Sequence, residues 1–149
     1  MSNLQVVYEI HIRATADQIW NALTNGEETV HWCYGSPIVS DWMPGSKYAY
    51  MTPDKTIKVI AGNVLEIDPG KRVTMDYRML SSEEVAKDKP SREIWEIEPA
   101  GEICKLRVTH DTFEGETTTY HRVKDSTPWM FSSLKSYLET GKGFGYPAS

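Results

Sequence analysis

The chain has 149 residues, 25% of them charged, and a formal net charge of −5 at pH 7. That is one domain's length, enough to take roughly 70% of the unfolded surface out of water. The acidic balance argues against a phosphate backbone, so no nucleic-acid partner is expected, and no run approaches the roughly 18 apolar residues of a membrane span. Residues 1–11 lack the basic flank and apolar core of a signal peptide, which points to a cytoplasmic protein. Cys33 and Cys104 have no partner at metal-type spacing and are expected to be reduced, packed thiols. Five Trp, eight Tyr and three Phe are more ring surface than a compact core of this size requires, so some of it should line a cavity or a contact face.

Val6, Tyr8, Ile10 and Ile12 alternate with Val7, Glu9, His11 and Arg13, the period-2 pattern of a half-buried strand. Thr15 with Gln18 forms a capping box before Ala16, Ile19, Trp20 and Leu23 at helical spacing, and Asn25-Gly26 stops that helix. A second short helix is expected over 27–34, ending at Gly35-Ser36-Pro37.

Six strands then follow, at 38–41, 46–51, 57–67, 72–79, 92–98 and 103–111, separated by turn chemistry such as Pro44-Gly45, Asp68-Pro69-Gly70 and Pro99-Ala100-Gly101. Apolar parity changes across Gly62-Asn63, which predicts a bulge that bends the sheet. Residues 81–91 and 114–119 read as polar surface loops.

The last helix is expected to start with Thr127 as N-cap and Pro128 as its first residue, and to end at Gly141. Its stripe is Met130, Phe131, Leu134, Tyr137 and Leu138, with Trp129 to one side. Strand, two short helices, six strands and a long helix make one α+β domain over 1–149: a bent antiparallel sheet gripping the last helix.

Four segments carry a family resemblance: residues 16–24, residues 62–69, residues 107–113 and the helix from Trp129 to Gly141. They resemble the START-like (SRPBCC) helix-grip superfamily, in the branch of homologues of the activator of the 90-kDa heat-shock protein ATPase. The resemblance implies a cavity between helix and sheet that takes an apolar small molecule. The eukaryotic activator carries an additional N-terminal domain, so chaperone stimulation is not carried over directly.

Strand parity turns Cys104, Leu106, Val108 and His110 inward, with Trp95, Ile97, Val73, Met75, Tyr77 and Met79 on neighbouring strands. Candidate ligand contacts are therefore Met75, Tyr77, Met79, Trp95, Val108 and His110 on the sheet and Trp129, Met130 and Leu134 on the helix. Trp32, Trp42, Tyr48 and Tyr50 are candidates for the rim, or for hydrophobic plugs. Asp111 points away from its neighbour His110 and cannot orient it for catalysis. His31, Cys33 and Cys104 lack the local pairing of a structural zinc site. No metal, cofactor or catalytic residue is assigned. Arg72, Asp76, Arg78, Lys105 and Arg107 read as a solvated outer face.

The function read first is non-enzymatic binding of an apolar or aromatic molecule. Alternatives are a chaperone partner of the ATPase-activator type, or a cyclase- or dehydrase-like enzyme using His110 or Tyr77.

Overall fold

The computed structural model describes residues 4–145. Its elements in chain order are β1 (Val6–Ile12), α1 (Ala16–Thr24), α2 (Gly26–Thr29), β2 (Ile38–Ser40), β3 (Lys47–Met51), β4 (Lys58–Asp68), β5 (Arg72–Met79), α3 (Glu83–Ala86), β6 (Ser91–Ala100), β7 (Ile103–Asp111) and α4 (Thr118–Thr140). The seven strands form one bent antiparallel sheet in the order β1-β7-β6-β5-β4-β3-β2, with α4 against it: the helix-grip α+β fold. The first and last sheet strands are thus tied by β1–β7 pairing, and α1 and α2 close one end between β1 and β2.

The Thr15 capping box is present in both directions: Gln18 N–H donates to Thr15 Oγ1 at 3.1 Å and Thr15 N–H to Gln18 Oε1 at 2.8 Å. The second helix is shorter than its acidic opening implies, stopping at Thr29. The chain then turns through Tyr34 and Gly35, both left-handed, which no helix can continue through. Thr29 secures this corner, donating to the Ser36 carbonyl at 2.9 Å and accepting from Ile38 N–H at 3.0 Å.

The bend in β4 lies beside the expected place, with the register to β5 slipping between Val64 and Glu66. Gly62 is required there, because a Cβ would stand 2.2 Å from the Asp76 carbonyl oxygen. Asp76 is correspondingly no solvated surface charge, since its Oδ1 accepts from Asn63 N–H at 2.7 Å. Three of the other outer-face charges pair across strands, Arg72 with Glu96 at 3.2 Å, Lys105 with Glu98 at 3.3 Å and Arg107 with Glu9 at 2.8 Å.

Two expected loop or boundary readings are corrected. Residues 81–91 hold the short helix α3, whose Val85 is fully buried, and Asp88, which accepts from Thr119 N–H at 3.1 Å and Thr119 Oγ1 at 2.7 Å. That contact stabilises a helix start ten residues before the one expected, with Thr117 rather than Thr127 as N-cap. Thr127 is buried mid-helix, and Pro128 is tolerated inside α4 on an exposed position. Gly141 ends the helix in the left-handed conformation, as expected.

A large core gathers β1, α1 and the middle of the sheet under Phe131 and Leu134 of α4. A smaller one, made by Tyr77, Met79, Val85, Phe113 and Val123, lies under the N-terminal half of the same helix.

Candidate functional site

Between α4 and the sheet lies a cavity of about 580 Å³. The helix contributes Arg122, Asp125, Ser126, Trp129 and Met130, positions spaced by three and four that form one stripe beside the core-facing stripe of Val123, Thr127, Phe131 and Leu134. The sheet contributes Tyr50 from β3, Val59 and Ile60 from β4, and Tyr77 and Met79 from β5. The turn at Cys33, Tyr34 and Ser36 closes one side, and Thr52, Pro53 and Ser81 stand at the rim.

The wall is mostly apolar, with its charges at the mouth. Arg122 and Asp125 are exposed there, and Arg122 Nη1 donates to Ser81 Oγ at 3.3 Å, tying helix to sheet. Cys33 Sγ lies 3.6 Å from Met130 Sδ, a soft contact between turn and helix. Burial, with the Glu93 carboxylate as the lesser cause, pushes the Cys33 thiol up to about 12. Burial likewise holds the Tyr50 and Tyr77 phenols well above their ordinary range, with nearby acidic groups adding to it, so both stay neutral donors.

The candidate contacts divide on this geometry. Tyr50, Tyr77, Met79, Trp129 and Met130 border the cavity. Trp32, Trp42, Tyr48, Met75, Trp95, Val108, His110 and Leu134 pack into the surrounding structure and do not line it. Trp32 is a plug, its Nε1–H donating to the Ala22 carbonyl at 2.9 Å. Trp42 is held by the Thr24 carbonyl at 2.9 Å, and the Tyr48 hydroxyl by the Asp76 carbonyl at 2.7 Å. Trp129 donates to the Gly145 carbonyl at 2.9 Å and packs on Phe144, pinning the segment after α4 beside the mouth. Arg122, Asp125 and Ser126 were not foreseen, because that stretch reads as loop once Pro128 is taken for the helix start.

His110 has partners that its neighbour Asp111 cannot supply. Glu93 lies directly across the β6–β7 pair, its Oε1 3.4 Å from His110 Nδ1 and its Oε2 accepting from Trp95 Nε1–H at 3.0 Å. Ser91 Oγ is 2.5 Å from His110 Nε2. The atom order Ser, His, Glu matches a nucleophilic relay. Access does not: His110 is fully buried, Ser91 is 2% exposed, and the imidazole is enclosed by Tyr77 edge-on at 4.5 Å and Phe113 stacked at 4.9 Å. The network serves as a satisfied buried cluster, and Asp111 instead takes a two-pronged bond from Arg92 at 2.8 and 2.7 Å. Among the described residues no group of three or more His, Cys, Asp or Glu side chains is placed to hold a metal ion.

A family profile described as Activator of Hsp90 ATPase homolog 1-like protein matches residues 13–139. The chain belongs to this family. Solved structures agree on the fold. A solution structure of an Aha1 dimer from Colwellia psychrerythraea is 21% identical with a TM-score of 0.75, over 94% of this chain and 99% of that one. A crystal structure of a Mesorhizobium loti protein is 20% identical with a TM-score of 0.76, over 91% and 97%. An HSP90 activator from Plasmodium falciparum is 16% identical with a TM-score of 0.74, over 94% and 98%. A search of curated proteins finds no match. No helix among the described residues of this family member is long and apolar enough to cross a membrane.

Proposed function

We propose that the protein is a non-enzymatic binding module that holds an apolar or aromatic small molecule between α4 and the sheet. The observation that carries this reading is the cavity itself: about 580 Å³ of open space walled by Tyr50, Val59, Ile60, Met79, Trp129 and Met130 where a close-packed core would otherwise lie. Its charged side chains, Arg122 and Asp125, sit at the mouth, and His110, which packs on the lining residue Tyr77, is sealed off and bonded to Ser91 and Glu93. Such a wall favours retention of an apolar body over chemistry on it.

The test is a thermal-shift screen with fatty acids, polyketides and flavonoids, followed by native mass spectrometry of the hits. A ligand at a hundred times its Kd adds about 2.7 kcal/mol, which at this chain length raises Tm by roughly 5 to 11 °C. Ser126→Trp, which drives a ring into the cavity from a partly exposed helix position, is expected to abolish the shift while leaving the protein folded. No shift and no retained ligand across the library would overturn the reading.

A second reading is association with a 90-kDa heat-shock chaperone, favoured by the family match over residues 13–139. Stimulation of the cognate chaperone's ATPase by both the parent protein and Ser126→Trp would support it and separate it from the cavity.

A further inference from the structure

Most buried tyrosine and tryptophan polar groups here are matched within the protein. Tyr48 has the Asp76 carbonyl, Trp32 the Ala22 carbonyl and Trp95 the Glu93 carboxylate. Tyr50 and Tyr77 are different: they are 4% and 5% exposed, both line the cavity, and neither hydroxyl has a hydrogen-bond partner among the described residues. Nor are these oxygens sealed in apolar packing, since the described side-chain atom left both sealed and unpaired is Thr74 Oγ1. Two phenol O–H groups therefore open onto an otherwise apolar space. A donor that opens onto such a space without a protein partner is available to an acceptor carried by a ligand, which can take the place of water there.

We infer that the cavity takes an aromatic or polycyclic molecule carrying a neutral acceptor oxygen, a ketone or quinone carbonyl, which accepts hydrogen bonds from Tyr50 and Tyr77. The inference rests on the binding reading above and specifies its ligand.

Three features select a neutral acceptor. Both phenols keep their protons because burial disfavours their charged forms, so each offers a donor. The cation that lines the cavity, Arg122, is exposed at the mouth and engaged with Ser81 Oγ, so among the described residues no cation inside compensates a carboxylate. The Glu93 carboxylate, on the adjacent strand and bonded to Trp95 Nε1, raises the cost of a second negative charge near Tyr77. The rings around the site, Tyr50, Tyr77 and Trp129, supply flat faces for an aromatic body.

The experiment compares 9-fluorenone with fluorene, which share a tricyclic body and differ by one carbonyl oxygen. Affinities are measured by calorimetry for the parent protein, Tyr50→Phe, Tyr77→Phe and the double variant, and the carbonyl stretch of ¹³C-labelled fluorenone is recorded by infrared difference spectroscopy. Fluorenone should bind more tightly to the parent protein, by on the order of 5-fold per hydrogen bond formed. Each single variant should lose part of that preference and the double variant all of it, with fluorene affinity unchanged. The bound carbonyl stretch should shift to lower frequency in the parent protein and return to its apolar-solvent position in the double variant. Equal binding of both compounds, or a preference that survives in the double variant, overturns the inference and leaves the cavity reading standing. Binding of neither compound overturns the inference, and together with a blank library screen it removes the cavity reading as well.

Discussion

Cys33 shows how a single side chain reports the state of this site. Its thiol stands on the cavity wall against Met130, and burial raises its pKa from an ordinary 9.0 to about 12. The folded state therefore holds this proton more tightly than the unfolded chain does. The stability this contributes is fully present below pH about 9 and is lost as pH rises toward about 12, the direction expected when the unfolded state ionises first. Iodoacetamide at pH 8 should leave Cys33 unlabelled in the native protein and modify it once guanidinium unfolds the chain, as read by mass spectrometry. Rapid labelling of the native protein would show that the thiol is not enclosed. At this scale the chain itself discloses much: the parity that places Trp95 and His110 inside also places Glu93 and Ser91 inside. What it hides is which inward polar groups satisfy one another, because the pairing of Glu93 with His110 is a register fact between two strands.

Among the elements, α4 contributes more of the site than any other and most of the difference between expectation and structure. Its C-terminal half is legible from the stripe of Phe131, Leu134 and Leu138 and from Gly141, since those signals are local. Its N-terminal half is not, because Pro128 imitates a helix start and the stretch 118–126 is polar. That stretch is helical for tertiary reasons, namely Val123 in the small core and the Asp88 carboxylate on Thr119. The same division predicts energetics. Leu134 is fully buried in the large core and lies outside the cavity lining, so Leu134→Ala removes close-packed contacts. Denaturant unfolding should show a loss of about 2 to 5 kcal/mol, whereas a loss well under 1 kcal/mol would mean that the cavity extends beneath this residue.

At the level of the whole molecule the cavity occupies the seam between the two cores. Cys33 and Tyr50 on its wall belong to the large core, Tyr77 and Met79 to the small one, and α4 passes through both, with Val123 in one and Phe131 and Leu134 in the other. A continuous helix shared in this way makes separate melting of the small core expensive, since unfolding it would also release the cavity wall and the first turns of α4. Val85→Ala is a direct trial of that coupling, because Val85 is fully buried, belongs to the small core and lies outside the cavity lining. Losing two methyl-sized groups there should cost about 1.5 to 3 kcal/mol and lower Tm by roughly 3 to 12 °C. If helix and sheet form one cooperative unit, calorimetry will show a single transition moved to lower temperature, and circular dichroism and Trp fluorescence will follow it together. A separate early transition in this variant would mean that the small core can open alone, which would make it the door to the cavity rather than part of its frame.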